Sequence, residues 1–195
     1  MWSFKQRLIK RSFDIVLAVL ISPVCFFLVL AICLILVIGY GKNPFFYQVR
    51  IGKNAKIFRL LKLRTLYFDK EIKSFPPYTN NRFRRFLRRA KLDELPQVFQ
   101  VLIGQMSFVG PRPDLPGYMD KVSGKYMDLQ KLKPGITGPA TLKYRNEDVL
   151  LAEQKNPVKF NDEVIWPDKL TINYTYFRSY SFGSDLKLLI KSVIK

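Results

Sequence analysis

Two adjacent carboxylates, Asp93 and Glu94, directly follow residues 82–91, a stretch that holds six arginine and lysine residues. Carboxylate oxygens are the ligands that Mg²⁺ prefers, and this ion bridges readily to a diphosphate whose oxygens the basic residues could neutralise. A carboxylate in such surroundings can also attack phosphorus and form an acyl phosphate. The other interpretation is a helix cap, in which acidic side chains interact favourably with the dipole of the following helix.

Other cations lie in segments that could hold them beside a phosphate group. Arg112 is enclosed by Pro111 and Pro113, which stiffen the backbone and orient the guanidinium as an electrostatic clamp, although a surface turn with an exposed arginine has the same pattern. Lys62 and Arg64 follow a predicted strand and suit either phosphate binding or a solvated strand end.

The composition excludes several kinds of chemistry. Histidine is absent, which removes the usual general base at neutral pH, serine–histidine and cysteine–histidine nucleophile pairs, and histidine metal ligands. Cys25 and Cys33 both lie in an apolar stretch, so a disulfide framework or a zinc site is not expected. The chemistry must therefore use carboxylates, lysine, arginine, tyrosine or a bound ion.

The elements that position these residues follow from the hydrophobic pattern. Residues 45–49 and 57–61 predict a β-hairpin joined through Gly52, Lys53 and Asn54. Residues 82–91 predict an amphipathic basic helix that could lie on anionic lipid, form a phosphate-binding wall or contact nucleic acid, and a preceding membrane segment favours the first two.

Further helices are predicted towards the C-terminus of the chain. The apolar spacing continues as a helix over residues 95–103, and helices are also expected over residues 158–166 and 170–177. A last helix, over residues 185–195, carries apolar and lysine side chains on different faces. It could rest on a bilayer surface or close the core.

An uncharged apolar segment of 24 residues, 15–38, precedes all of these elements. As a helix it would be roughly 36 Å long, which exceeds the apolar core of a bilayer. Ser22 and Pro23 interrupt it, because proline lacks an amide proton and its ring clashes with the preceding turn. Both flanks are basic, as expected for cytoplasmic faces, so a re-entrant helix and a kinked spanning helix both remain possible at this point.

The composition also restricts the overall class of the protein. A length of 195 residues suits one domain of ordinary size. The formal net charge is +18, yet 48% of the residues are hydrophobic. A chain so rich in apolar and aromatic residues is expected to fold around a core, which excludes a disordered basic tail that binds nucleic acid.

Taken together, several motifs in this order resemble the bacterial sugar transferases, the monotopic phosphoglycosyl transferases. The resemblance covers residue 5 to the C-terminus. The motifs are Lys10-Arg11-Ser12-Phe13-Asp14, Ser22-Pro23, Lys62-Leu63-Arg64-Thr65, Leu92-Asp93-Glu94-Leu95-Pro96-Gln97, residues 104–113 and Pro134-Gly135-Ile136-Thr137-Gly138.

The resemblance implies transfer of a sugar 1-phosphate from a nucleoside diphosphate sugar, expected to be a UDP-sugar, to polyprenyl phosphate. In this family Asp93 would be the nucleophile, forming a phosphosugar-enzyme intermediate with release of UMP and assistance from Mg²⁺ bound at Asp93. Glu94 would be its catalytic partner and Arg112 would steady phosphate oxygens. The remaining candidates for binding phosphate, nucleotide or sugar are Lys62, Arg64, Arg88, Arg145 and Asn146.

The resemblance also implies the architecture and location of the protein. We expect an α+β fold that is mainly helical, with a re-entrant membrane helix broken at Ser22 and Pro23, a small β-hairpin and amphipathic interfacial helices. Residues 1–40 would form the membrane hairpin and residues 41–195 the catalytic domain, on the cytoplasmic face of the bacterial inner membrane. Membrane lipid would be a partner and nucleic acid would not.

A second hypothesis is a non-catalytic, membrane-anchored basic module. Such a module would bind anionic lipid or nucleic acid through residues 82–91. It leaves Asp93, Glu94 and the loop around Arg112 without a role.

Overall fold

The computed structural model describes residues 2–41, 43–66 and 81–194. Within these residues the protein is mainly helical, with two small two-stranded sheets. The helices are α1 Phe4–Tyr40, α2 Arg82–Arg89, α3 Gln97–Leu102, α4 Pro139–Lys143, α5 Glu147–Ala152, α6 Pro157–Phe160, α7 Trp166–Arg178 and α8 Phe182–Ile194. The strands are β1 Phe45–Ile51, β2 Ile57–Leu63, β3 Ser107–Val109 and β4 Gly135–Thr137.

Helix α1 runs without a gap from Phe4 to Tyr40 and contains Pro23, so Ser22 and Pro23 do not divide it into two helices, and a bend of the helix at this position stays a prediction. Ser3 and Gln6 form a capping box at its start, and Gly41, at a φ of 61°, caps its end. Proline removes one amide donor from a helix. The Ser22 hydroxyl donates a hydrogen bond to the Ala18 carbonyl, which adds a contact beside that position. The helix is long and apolar enough to cross a membrane.

Both halves of α1 pack against the rest of the protein. Before Pro23, Arg11 donates hydrogen bonds to the carbonyl oxygens of Val101 and Leu102 at the end of α3, at 2.7 and 2.9 Å. Asp14 is buried and accepts hydrogen bonds from the Ser107 hydroxyl and the Phe108 amide, both at 3.1 Å.

After Pro23, α1 contributes to a second core cluster. Val29, Ile32 and Leu36 are buried there together with Leu63 of β2 and Leu87 of α2. Ala18 and Cys25 belong instead to the larger core cluster, with side chains of α3, β3 and α7. One long helix therefore joins the two cores of the protein.

The predicted hairpin is confirmed. Strands β1 and β2 pair antiparallel, with Phe45 opposite Leu63 and Ile51 opposite Ile57. Asn54 and Ala55 in the connecting turn have φ values of 58° and 56°, the left-handed conformation that reverses the chain. The pairing places Lys62 near the end of β2.

The basic helix is confirmed as α2, and a shorter helix than predicted follows as α3. Asn81 caps α2 by accepting a hydrogen bond from the Arg84 amide, and Leu87 is its buried residue. The predicted helix over residues 95–103 is six residues long in the structure, Gln97–Leu102. Between the two helices, Asp93 and Glu94 lie in a separate 3₁₀ turn, Leu92–Glu94.

A parallel pair of short strands was not predicted. Residues 107–113 and 133–139 read as loops in the sequence, but β3 and β4 pair within them, Ser107 with Gly135 and Val109 with Thr137. Added Cβ atoms at Gly135 and Gly138 would lie 2.2 Å from backbone atoms of Gly110. Glycine is therefore required for the two segments to approach this closely, and their contact fixes the start of the loop that carries Arg112.

The last two helices close the protein against the start of α1. The helix predicted over residues 158–166 corresponds to α6, which begins one residue earlier, and to the π-helical segment Asn161–Ile165 that follows it. The helix predicted over residues 170–177 lies within α7. In α8, Asp185 is buried and forms an ion pair with Lys10 at 2.6 Å, while Tyr176 donates a hydrogen bond to it, also at 2.6 Å. Leu188 and Leu189 pack on the core, whereas Ile190 and Val193 are exposed.

Candidate active site

The adjacent carboxylates are presented by a tight turn between α2 and α3. Lys91 adopts a left-handed conformation, with φ at 57°, and ends the path of α2. The 3₁₀ turn Leu92–Glu94 follows, and within it Asp93 is buried, with only 9% of its surface exposed. The structure therefore gives the pair a more enclosed position than a solvated helix cap requires.

Glu94 is held by two cations that come from distant parts of the chain. Its Oε1 accepts a hydrogen bond from Lys62 Nζ at 2.8 Å and another from Arg112 Nη2 at 3.3 Å. Burial alone would raise the pKa of Glu94, but Arg112 and Lys62 outweigh that effect and lower the pKa to about 2. Glu94 is therefore a carboxylate at neutral pH that joins β2 to the Arg112 loop.

Asp93 has different surroundings from its neighbour. Burial raises the pKa of Asp93, and the charge of Glu94 raises it further, while Lys62, Arg88 and Lys91 act in the opposite direction. Among the residues that the structure describes, none forms a hydrogen bond with the Asp93 side chain. Its oxygens are thus available to a substrate or an ion while cations lie nearby.

The residues fit a magnesium ion that is shared with a substrate, rather than one enclosed by protein ligands. No group of three or more histidine, cysteine or acidic side chains with metal-binding geometry occurs in residues 2–41, 43–66 and 81–194. Mg²⁺ in phosphoryl-transfer sites is commonly bound by one or two carboxylates together with substrate phosphates. Asp93 supplies such a carboxylate, because its oxygens are not engaged as the Glu94 oxygen is.

Two of the predicted phosphate-binding residues, Arg88 and Arg64, have different partners in the structure. Arg88 is close enough to influence the pKa of Asp93, and its Nη2 lies 3.9 Å from a carboxylate oxygen of Asp148. Arg64 donates two hydrogen bonds to the Phe45 carbonyl oxygen, at 3.3 and 3.0 Å. The structure therefore brings Arg88 to the site and uses Arg64 to close the hairpin.

Arg145 and Asn146 differ in their position relative to the large cavity beside the site. Arg145 lines the large cavity beside the site and donates a weak hydrogen bond to the Ser192 carbonyl oxygen, at 3.3 Å. The backbone carbonyl of Asn146 accepts from the Val149 and Leu150 amides, so this residue begins α5. Asn146 is not among the residues that line that cavity.

The cavity has a volume of about 1130 Å³ and two kinds of wall. Glu94, Arg112 and Lys91 form one charged end, and Asp114, Glu147 and Lys169 add further charged groups. Glu147 accepts hydrogen bonds from Lys169 through both carboxylate oxygens, at 2.7 Å each. Apolar side chains from α1 and α8 line much of the remainder.

Sequence reasoning missed Arg50 and Asp114. Arg50 projects from β1 and donates hydrogen bonds to the Pro113 carbonyl oxygen at 3.1 Å and to Gln48 Oε1 at 2.8 Å. Burial raises the pKa of Asp114 to about 7, against the influence of Lys169, Arg50 and Arg112. Asp114 could have been identified from the sequence because it directly follows Pro113, in the loop already singled out for Arg112. Arg50 could not, because a single arginine in a strand is not part of any motif.

The comparisons with known proteins agree with these observations. The chain matches the model of the family described as bacterial sugar transferase over residues 5–195. It is 31% identical to the uncharacterized sugar transferase EpsL of Bacillus subtilis strain 168, over 96% of this chain and 87% of the relative.

Two further relatives are named UDP-glucose:undecaprenyl-phosphate glucose-1-phosphate transferase. The one from Escherichia coli strain K12 is 36% identical over 97% of this chain, and the one from Klebsiella pneumoniae is 33% identical over 95% of it. This chain spans 40% and 39% of the lengths of those two relatives. The match over residues 5–195 includes the carboxylate pair and both cations that hold Glu94. The chain therefore belongs to the bacterial sugar transferase family, and with it to the phosphoglycosyl transferase enzymes.

Proposed function

We propose that the chain transfers a sugar 1-phosphate from a UDP-sugar to polyprenyl phosphate and releases UMP. The observation that carries this proposal is the buried Asp93, unengaged by hydrogen bonds to described residues, next to a Glu94 that fixes Lys62 and Arg112. The names of the relatives from Escherichia coli and Klebsiella pneumoniae supply the donor and acceptor classes. Family membership argues against a non-catalytic basic module.

In the first step, a carboxylate oxygen of Asp93 attacks the β-phosphorus of the donor. A bond forms between that oxygen and phosphorus, and the bond from phosphorus to the bridging oxygen breaks, so UMP leaves with the electron pair. Arg112, whose side chain is 36% exposed, can reach the phosphate oxygens while it remains beside Glu94. The product of this step is a sugar phosphate joined to Asp93 as an acyl phosphate.

In the second step, a phosphate oxygen of the polyprenyl phosphate attacks the same phosphorus. The bond to Asp93 breaks, the carboxylate is regenerated, and polyprenyl diphosphate sugar is formed. Glu94 keeps Lys62 and Arg112 in place through both steps. A magnesium ion, when bound at Asp93 and the donor diphosphate, would neutralise charge on the leaving UMP.

We also propose that α1 enters and leaves the membrane on one side, which would be the cytoplasmic face of the bacterial inner membrane. Arg11 and Asp14, before Pro23, contact α3 and β3, while Ile32 and Leu36, after it, pack with β2 and α2. A helix that crossed the bilayer would carry these two halves to opposite sides. Basic residues on both flanks of the apolar segment support the cytoplasmic assignment.

Mass spectrometry of the protein incubated with Mg²⁺ and a panel of UDP-sugars, without lipid acceptor, tests the reaction. We expect UMP release and a phosphosugar adduct on the peptide that contains Asp93. Asp93→Asn should form no adduct and transfer no sugar phosphate, because an amide cannot act as this nucleophile. Asp128→Asn, at a half-buried position outside the cavity, is the matched control and should retain both activities.

Other outcomes would point to other mechanisms. Transfer by purified Asp93→Asn would show that Asp93 is not the nucleophile. If UMP appeared only after polyprenyl phosphate was added and no adduct formed, direct displacement would replace the two-step mechanism. Failure of the wild type to release UMP from any nucleotide sugar, with or without acceptor, would overturn the proposed function.

A further inference from the structure

We infer that Asn173 and Thr141 bind the uracil base of the donor and select it over cytosine. This inference rests on the proposed function and adds the residues that recognise the nucleotide. The amide of Asn173 accepts a hydrogen bond from uracil N3 and donates one to O4, and the Thr141 hydroxyl donates to O2. Both residues line the cavity that also contains Glu94 and Arg112.

The amide of Asn173 is buried in the wall of this cavity. Asn173 lies in α7 and is only 4% exposed, yet its side-chain oxygen receives no hydrogen bond from any residue that the structure describes. Buried amides are nearly always hydrogen-bonded, because an unpaired polar atom away from water costs free energy. Rotation about the last side-chain torsion presents either the oxygen or the nitrogen of an asparagine to a neighbouring group. The position of Asn173 in the cavity wall therefore points to a partner on a ligand.

Thr141 is a second polar residue of the same kind. Its hydroxyl oxygen is buried and has no hydrogen-bond partner in the part of the chain that the structure describes. Thr141 lies in α4, and this helix is fixed to α7 by a carboxylate. Asp168 of α7 accepts hydrogen bonds from Lys143 Nζ at 2.7 Å and from the Tyr144 hydroxyl at 2.6 Å. Thr141 and Asn173 are therefore carried by two joined helices, and both line the same cavity.

The parallel strands β3 and β4 connect this subsite to the phosphate end of the cavity. Parallel strands end at the same edge of their sheet. Val109, the last residue of β3, pairs with Thr137, the last residue of β4. Arg112 follows Val109 after three residues, and Thr141 follows Thr137 after four. A donor whose diphosphate contacts Arg112 therefore has its nucleoside within reach of α4 and α7.

The surroundings of Asn173 suit a planar base better than a sugar. Trp166 lies seven residues before Asn173, on the same face of α7, and lines the cavity together with Tyr144. Bases stack on aromatic side chains and form hydrogen bonds at their edges, where an amide matches a donor and an acceptor that lie side by side. A sugar presents hydroxyl groups around its whole ring, and the carboxylates of Asp114 and Glu147 in the same cavity match those groups. The amide of Asn173 is therefore assigned to the base.

Direct binding of nucleotides tests the inference without depending on catalysis. Isothermal titration calorimetry on the full chain in detergent, with Mg²⁺, would compare UDP, CDP and 3-methyl-UDP, in which a methyl group replaces the N3 proton. We expect the wild type to bind UDP about tenfold to 100-fold more tightly than either analogue, the range for one paired contact to a base edge. Equal affinities for the three nucleotides would overturn the inference.

Substitutions at Asn173 should change the preference between bases, which a purely structural role would not do. Asn173→Leu keeps the size of the side chain but removes its hydrogen-bonding groups, so UDP should bind about tenfold more weakly while the affinity for CDP stays the same. Asn173→Asp supplies an acceptor for the amino group of cytosine and should bind CDP more tightly than UDP. Thr141→Val should weaken the binding of UDP and CDP by the same factor, because both bases have the O2 carbonyl.

A matched control makes the same chemical change outside the cavity. Asn156→Asp alters an exposed residue that does not line the cavity, and it should keep the wild-type preference for UDP. The melting temperature of each variant shows whether it is folded. The comparison of UDP with 3-methyl-UDP needs no variant, so it decides the question even if substitution of Asn173 prevents folding.

Other outcomes separate this inference from the proposed function. If Asn173→Leu weakened the binding of UDP-glucose but not of UDP, the amide would contact the sugar and the inference would be wrong. Equal binding of UDP and CDP by the wild type would overturn it even if UMP release confirmed the proposed function. Selective binding of UDP without UMP release from any nucleotide sugar would support the base site and overturn the proposed reaction.

Discussion

The two adjacent carboxylates of the site differ in what surrounds them. Glu94 accepts hydrogen bonds from Lys62 and Arg112, and its pKa is lowered to about 2. The pKa of Asp93 is raised, first by burial and then by the charge of Glu94. Two neighbouring carboxylates with opposite pKa shifts commonly have different roles in a mechanism. Here Glu94 suits a fixed structural charge, and Asp93 suits a group that reacts.

We expect Glu94→Gln to lower both stability and activity. The change leaves the largely buried ammonium of Lys62 without its carboxylate partner, and breaking a buried ion pair in this way costs about 3 kcal/mol. Because the folded-state pKa of about 2 lies below the ordinary 4.5, this contribution is present above pH 4.5 and is lost as the pH falls towards 2. Thermal unfolding in detergent, followed by tryptophan fluorescence, would measure it.

The difference in melting temperature between wild type and Glu94→Gln should therefore shrink as the pH falls below about 4.5. Glu153→Gln, at an exposed position, is the control and should match the wild type at every pH. A difference that stayed constant down to pH 3 would show that the ion pairs of Glu94 do not stabilise the fold.

Arg112 and Arg64 should respond differently to replacement by lysine. Arg112→Lys keeps the charge but loses the planar guanidinium that can contact Glu94 and a phosphate together, so kcat/KM should fall by roughly 10- to 100-fold. Arg64→Lys alters a side chain that bonds to the Phe45 carbonyl, so activity should change by less than about threefold. Steady-state UMP release measures both, and equal losses would mean that Arg64 also acts at the site.

At the scale of residues, the sequence pointed to a candidate site residue where that residue belongs to a local motif. Asp93, Glu94 and Arg112 were singled out because an acidic pair follows a basic helix and an arginine lies between two prolines, and the family resemblance then supplied the roles expected of them. Arg64 was expected beside phosphate from its charge and from the motif of residues 62–65, and in the structure its guanidinium donates hydrogen bonds to the Phe45 carbonyl oxygen. A cation does not reveal its partner when that partner is a backbone oxygen from another strand.

At the scale of elements, the parallel pair of β3 and β4 brings the Arg112 loop to the carboxylates. Each strand has three residues, and the two are separated by more than twenty residues along the chain. Strands this short show no alternating pattern, so the sequence could not reveal the pairing. The hairpin and α2 were predictable because each carries its own pattern, aromatic and β-branched residues around a glycine turn in the strands and a charged face in the helix.

Gly135→Ala should destabilise the protein by about 3 kcal/mol or more and abolish transfer. The added Cβ would lie 2.2 Å from the Gly110 amide nitrogen, and backbone atoms cannot move aside as a flexible side chain can. Gly39→Ala is the control, because a Cβ there meets nothing within 4 Å and alanine favours a helix. Melting temperature and UMP release measure the effect.

A smaller loss of stability in Gly135→Ala than in Gly39→Ala would contradict the structural role of the contact between β3 and β4. If Gly135→Ala kept the melting temperature of the wild type, the close approach of β3 and β4 would not be needed for folding. If it folded normally but lost activity, the strand pair would position Arg112 without contributing to stability.

At the scale of the whole molecule, α1 belongs to both core clusters and is not a detachable anchor. The expected separation at residue 40 into a membrane hairpin and a catalytic domain stays a prediction. The helix nevertheless shares buried residues with α3 through Ala18 and with β2 and α2 through Leu36. Long-range packing of this kind cannot be read from an apolar segment, because every face of that segment is apolar.

Cysteine labelling tests whether both ends of α1 lie on the same side of the membrane. In a background with Cys25→Ala and Cys33→Ala, the exposed residues Lys5 and Lys53 would be changed singly to cysteine. We expect a membrane-impermeant maleimide to label Lys5→Cys and Lys53→Cys equally in inverted vesicles and neither in intact spheroplasts. Labelling of the two positions from opposite sides would establish a spanning helix.

The packing of both halves of α1 against the same body also has a mechanical consequence. The side chains that face lipid and those that support the turn bearing Asp93 belong to one continuous helix, Phe4–Tyr40. The height of the nucleophile above its own leaflet is then a fixed dimension of the protein. It should stay the same in thin and thick bilayers, since the opposite leaflet has no part in setting it.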